Sequence, residues 1–204
     1  IIRYCIENYP QNYSHSAYNL WGRILYVDPN GGDKKYDNAI NKYKMATRLH
    51  PNFAAAYYNW GLALHDKGQK YYEEAIVQYK KALDNAEQDY LRAPAYFNLG
   101  LILTTQGIIK GSSDGAKEKY QEAKENYQKA LKCGLRPTLP NIYTNLGTVF
   151  GAQGYYDDAI EMYKKAVGIN PLFAGYFNWG AALYRKGEYG KAIEKLEMAT
   201  EIKS

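Results

Sequence analysis

Apolar residues in this chain recur at steps of three and four, the spacing that gathers them on one face of a helix. The clearest series are Tyr36, Ala39, Ile40, Tyr43, Ala46 and Leu49; Tyr72, Ala75, Ile76, Tyr79, Ala82 and Leu83; and Ala116, Tyr120, Ala123, Tyr127, Ala130 and Leu131. The positions between them are filled by Lys, Glu, Asp, Asn and Gln. Each series predicts an amphipathic helix, and a second, more apolar helix is predicted before each of them. No strand-like alternation is evident, so the fold class is all-α.

Breakers separate the helices. Asp28-Pro29-Asn30-Gly31-Gly32 ends the first, with Asp33 as the expected N-cap of the next, and Pro51 closes that one. Lys67-Gly68-Gln69-Lys70 is the next turn; the helix after it is expected to run to about Tyr90, with Pro94 opening its successor. Ile108 to Gly115 reads as a Gly/Ser loop, followed by a helix extended by about one turn at its start, capped by Ser113 or Asp114 and ended by Gly134.

The more apolar helices are copies of one another. Ala56-Tyr57-Tyr58-Asn59-Trp60-Gly61 returns as Ala95-Tyr96-Phe97-Asn98-Leu99-Gly100, Ile142-Tyr143-Thr144-Asn145-Leu146-Gly147 and Gly175-Tyr176-Phe177-Asn178-Trp179-Gly180, with a weaker first copy at Ala17-Tyr18-Asn19-Leu20-Trp21-Gly22. A unit that cannot bury its own apolar face must stack on its neighbours, so the chain is an array. A half repeat over 1–14 is followed by repeats over about 15–51, 54–92, 93–137, 140–171 and 173–204, expected to form one domain. Residues 1 to 9 match the second half of a unit: either a lone covering helix or the edge of a longer protein.

Within each unit, Gly22, Gly61, Gly100, Gly147 and Gly180 and Ala39, Ala75, Ala123, Ala159 and Ala192 allow close helix approach. Two tyrosine sets, Tyr18, Tyr57, Tyr96, Tyr143 and Tyr176 with Tyr36, Tyr72, Tyr120, Tyr156 and Tyr189, are expected to fill the space between. This order of small and large residues, closed by Pro51 and Pro171, resembles the tetratricopeptide repeat (TPR), a helix-turn-helix unit of about 34 residues. The likeness covers nearly the whole chain. It implies a right-handed superhelical solenoid of stacked antiparallel helix pairs whose first helices line a concave groove. Extra residues in the turns of repeats one and three, and between repeats two and three, depart from the pattern, as does Leu196 in place of the last large aromatic.

Composition narrows the function classes. The net charge of +5 comes from lysines placed beside Asp and Glu at helical spacing, the pattern of a solvated mixed-charge face, which argues against a nucleic-acid footprint. No apolar run approaches the length of a membrane span, and the N-terminus lacks a secretory pattern. Cys5 and Cys133 lie far apart and outside any CxxC motif, which with the rest points to a cytoplasmic location. His15, His50 and His65 do not form a metal-ligand spacing with the cysteines, and no phosphate-cradling loop follows a strand. No catalytic residue, metal or cofactor is expected, and the chain reads as a non-enzyme.

What remains is binding of protein or peptide partners. In the TPR likeness, Asn59, Asn98, Asn145 and Asn178 fall at one groove-facing position in four successive units. Amides donate and accept, so such a row suits an extended peptide backbone; equally, it suits hydrogen bonds between helices. Beside it lie Tyr58, Phe97, Thr144 and Phe177, and one turn on Leu62, Leu101, Thr148 and Ala181, with Arg23 and Arg185 towards the ends. The Lys/Arg clamp for terminal carboxylates is not expected, because Ala55, Pro94, Asn141 and Ala174 stand at its places. The rival expectations are self-assembly of the array through its end faces or groove, and a substrate-recruiting arm of a larger enzyme. No integral membrane segment is expected, and peripheral membrane association through partners stays open.

Overall fold

The computed structural model describes residues 14–134 and 136–202; the predicted helix over residues 1 to 9, with the half repeat 1–14 up to Tyr13, lies outside them. Among the described residues the regular structure is entirely helical: α1 (Ser14–Val27), α2 (Lys35–Leu49), α3 (Ala54–Lys67), α4 (Tyr72–Asn85), α5 (Asp89–Lys110), α6 (Asp114–Lys132), α7 (Leu139–Ala152), α8 (Tyr156–Ile169), α9 (Phe173–Lys186) and α10 (Tyr189–Glu201). These are the five predicted helix pairs. No helix among the described residues is long and apolar enough to cross a membrane.

Several boundaries differ from the sequence expectation. The N-cap position of α2 falls on Lys34 rather than on the expected Asp33, which stands one residue earlier in a short 3-10 turn, Gly32–Lys34. The helix expected to reach Tyr90 stops at Asn85, where Ala86 turns to extended backbone. Tyr90 belongs to α5, so Pro94 lies inside that helix rather than opening it. Proline at this place removes one rung near the start, which a helix of 22 residues tolerates. The expected loop after Gly107 begins only at Gly111, whose φ of +66° favours glycine. Ser113 does sit at the N-cap of α6, but its hydroxyl donates to the Lys110 carbonyl instead of capping.

The chain forms two compact units, 1–98 and 99–204. In the first, α1 packs on α2 and α3 on α4, and α2 also meets α3. In the second, α7 packs on α8 and α9 on α10, with α8 against α9 and α6 against α7. The second helices α2 and α8 are thus each shared between their own partner and the next first helix.

One contact recurs in both units. The ring of Tyr43 lies against Gly22, that of Tyr79 against Gly61, that of Tyr127 against Gly100 and that of Tyr163 against Gly147. A Cβ placed on Gly100 would sit 2.5 Å from Tyr127 Cε1, well inside van der Waals contact. Leu196 takes the same place over Gly180. Gly107 adds a second such seat on α5, for Tyr120. One helical turn before each ring stand Ala39, Ala75, Ala123 and Ala159, each fully buried.

The tyrosines that carry the core are therefore not the two sets expected from the sequence. Of those, only Tyr120 is buried; the rest are half-buried, and Tyr189 is exposed. Tyr43, Tyr79, Tyr127 and Tyr163 are the buried rings, and burial raises the pKa of each phenol. Where a partner is in reach the hydroxyl is satisfied, as between Tyr127 and the Thr104 hydroxyl at 3.2 Å. Each such ring removes on the order of 150–250 Å² from water, about 4–6 kcal/mol of gross apolar stabilisation.

The lysines hold the outside. Lys119–Glu122 and Lys165–Glu161 pair along one helix, as the sequence spacing suggests. Others join helices: Lys67 to Asp37, and Lys186 to both Asp157 and Glu188, which holds the Glu188 carboxyl down at about 2. Lys42 lies 3.8 Å from the Trp21 ring, and Lys164 and Lys195 flank Trp179.

The Gly–ring contact makes a paired prediction. Gly100→Val should cost about 1–3 kcal/mol, because the added carbons overlap the Tyr127 ring. Gly168→Ala, at a helical position with open space around it, should instead stabilise by up to about 1 kcal/mol. Urea denaturation of the two variants checks both signs.

Candidate functional site

The sequence-predicted binding residues fall on the first helices and divide between the two units. Arg23, Tyr58, Asn59, Leu62, Phe97 and Asn98 belong to the first unit, and Leu101, Asn145, Phe177, Asn178 and Arg185 to the second.

In the first unit the polar residues pair with one another across neighbouring first helices. Asn59 Nδ2 donates to Asn19 Oδ1 at 2.9 Å, and Asn98 Nδ2 donates to the Tyr58 hydroxyl at 3.3 Å. The Tyr26 hydroxyl donates to Asp66 Oδ2. All three pairs are separated by 40 residues, one more than the step from Gly22 to Gly61. Asn98 is buried, and Tyr58 is half-buried with its ring centroid 5.9 Å from that of Tyr79. Burial raises the Tyr58 pKa, and the bond from Asn98 offsets part of that rise. Burial likewise lowers the pKa of neighbouring His65, against a smaller opposing pull from Asp66. Leu62 is half-buried, and Arg23 is exposed one turn before Tyr26.

The second unit is arranged differently. Asn145 Nδ2 donates to the Asn141 carbonyl one turn back, at 2.8 Å, and reaches no neighbouring helix by that bond. The hydroxyls of Thr144 and Thr148 donate to Pro140 and Thr144 carbonyls on the same helix. Their hydroxyl hydrogens are thus engaged on their own helix. Phe177 stacks on Phe173 with centroids 5.6 Å apart, and both rings are close to half exposed, at 46% and 48%. Asn178 and Leu101 are half-buried and Arg185 is exposed.

Asn19, Tyr26, Asp66 and Phe173 are thus site residues that the repeat motif alone did not single out. A signal existed for three of them: polar residues recurring at the repeat step plus one. It is invisible when units are aligned only on glycines, because it relates different positions of adjacent units.

Sequence profiles of the family place this geometry. One described as TPR repeat matches residues 34–68 and 111–154, and one described as tetratricopeptide repeat matches 140–171. The chain belongs to the tetratricopeptide-repeat family. Among relatives of this TPR chain, the small glutamine-rich tetratricopeptide repeat-containing protein 2 of Mycosarcoma maydis is 32% identical over 94 residues, which is 46% of this chain and 26% of that protein. The chain therefore spans about a quarter of that relative's length. The photosystem I assembly protein Ycf3 of Dioscorea elephantipes is 26% identical over 132 residues, covering 58% of this chain and 69% of Ycf3. Among solved structures, MamA superposes with a TM-score of 0.71 at 24% identity, covering 93% of this chain and 91% of MamA. YrrB, described as a TPR protein with an unusual peptide-binding site, gives 0.68 at 21% identity, covering 98% and 91%. At these identities the two structures show the fold.

The asparagines of this TPR chain should separate by experiment. Asn98→Ala leaves a half-buried phenol without its donor and should cost about 1–2 kcal/mol. Asn145→Ala removes only a bond to its own helix and should stay within about 0.5 kcal/mol. Chemical denaturation of each variant reads the difference.

Proposed function

We propose that the chain is a non-catalytic protein–protein interaction scaffold that binds peptide or helical segments of partner proteins on the faces made by its first helices. The observation that carries this reading is the Phe173–Phe177 pair: two stacked rings, both close to half exposed, next to the half-buried amide of Asn178. Large rings left in water on one helix face bury further area only when something docks on them, and aromatic anchors beside adaptable amides are how binding energy concentrates. In the first unit, Asn19 and Asn59 share one hydrogen bond. The amide groups not used in it, with Tyr58 and Leu62 beside them, supply donors, acceptors and apolar surface for an extended segment. The names of Ycf3 as an assembly protein and of YrrB as a peptide-binding TPR protein agree with this class of function.

Binding is tested with a peptide library selected on the intact chain and titrated by fluorescence anisotropy. For ligands of the second unit, Phe177→Asp should weaken binding about tenfold or more, with helical content unchanged. Ligands that bind the variant as tightly as the parent would place recognition elsewhere.

A second element of the proposal is self-association through the α9–α10 pair, where Tyr184, Tyr189 and Ile193 are each about 60% exposed. Multi-angle light scattering should show a concentration-dependent rise above the 23.3 kDa monomer that Ile193→Asp abolishes. A monomer throughout removes this element and leaves peptide binding standing.

A further inference from the structure

The junction between α4 and α5 is unlike the others. The α2–α3 and α8–α9 links are short and carry Pro51 and Pro171. The α4–α5 link, residues 86–88, has no proline, and α5 starts a full turn earlier relative to the repeat motif. The added turn brings Tyr90 and Leu91 opposite the α2–α3 link and borders an open, solvent-facing cavity of about 640 Å³ within the first unit.

Its walls have a definite chemistry. Asp84, in the last turn of α4, and Glu87 supply two carboxylates, and no lysine or arginine lines the space. Neither acid joins an ion pair among the described residues. Asp84 and Asn85 also end α4, where unsatisfied carbonyls carry the negative end of the helix dipole. The opposing positive ends are those of α3 and α5, and the second of these is countered by Asp89 in its first turn. The aromatic walls are Phe53 and Tyr90, the latter 60% exposed. Phe53 is held edge-on by His15, centroids 4.9 Å apart, and the His15 ring lies tilted by 33° against that of His50 at 4.8 Å. In a chain of net charge +5 this is a local concentration of negative charge next to flat rings.

We infer that this cavity is a binding site for an arginine side chain presented by a segment of another protein. A guanidinium is planar, weakly hydrated and always charged. It stacks on Tyr90 or Phe53 while its fork donates to Asp84 and Glu87, which a compact ammonium cannot do at once. The site lies at the N-terminal ends of two first helices, beside Ala54, Ala55, Tyr90 and Leu91, and uses none of the side chains assigned above to peptide binding, so the two can be tested separately.

The test uses the intact chain, labelled with nitrogen-15, and a blocked Ala-Arg-Ala tripeptide with its lysine and citrulline counterparts. The arginine peptide should shift the amide signals of Ala86, Glu87 and Gln88 saturably. The lysine peptide should bind at least about threefold more weakly. Citrulline, of the same shape without the charge, should leave the signals in place. The double variant Asp84→Asn/Glu87→Gln should lower arginine affinity about tenfold. Tyr90→Ala, which keeps both charges, should narrow the preference for arginine over lysine. Equal responses to arginine and citrulline, equal affinity for lysine and arginine, or an unaffected double variant would each overturn the assignment.

Discussion

Four of the helix pairs here depend on a tyrosine ring pressed against a glycine, and in the α9–α10 pair Leu196 takes the ring's place. The ring needs the space where a Cβ would be, and the glycine needs the ring to fill it. Glycine in the middle of a helix costs up to about 1 kcal/mol relative to alanine. That loss is outweighed by burial of an entire aromatic side chain with a close backbone-to-ring approach. The geometry that follows is strict: Gly100, Gly147 and their counterparts fix which turn of the first helix faces which turn of the second. All other positions on the first helix take their orientation from that choice.

This orientation decides which residues are left for binding. With the glycine turned inward, the asparagine two places earlier sits at the edge of the neighbouring unit. In the first unit such edges meet: Asn59 reaches Asn19 and Asn98 reaches Tyr58. In the second unit Asn145 turns back on its own helix, and the surface is set by the rings of Phe173 and Phe177 instead. One sequence position thus serves two ends, structural where a polar partner lies one repeat plus one residue away and solvent-facing where it does not.

The repeat spacing made the helices, their pairing and the glycine seats legible in the sequence. The identity of the buried rings was not, because tyrosine occupies three positions of the motif and spacing cannot rank them. Only packing distinguishes Tyr127, sealed against Gly100, from Tyr96, half-buried four residues before it. The start of α5 was misplaced for a related reason. Pro94 looks like a helix opening, yet Asp89 to Arg92 add a turn ahead of it, since Gln88 can accept the first backbone bonds from Leu91 and Arg92. The asparagine row was readable as a row, but whether its amides pair internally depends on neighbours that no single repeat contains.

The pairs separated by 40 residues also bear on how such an array can change over time. Repeat arrays grow and shrink by duplication and loss of whole units, which is harmless when every junction is alike. Here Tyr26 and Asp66, or Asn19 and Asn59, are halves of a match made across one particular junction. A unit copied from the first compact unit into the second would carry Asp66 or Asn59 to first helices whose threonine hydroxyls are engaged on their own backbone and whose exposed surface is phenylalanine. Polar pairing of this kind gives each repeat an address, and the order of units becomes as much a part of the inheritance as their number.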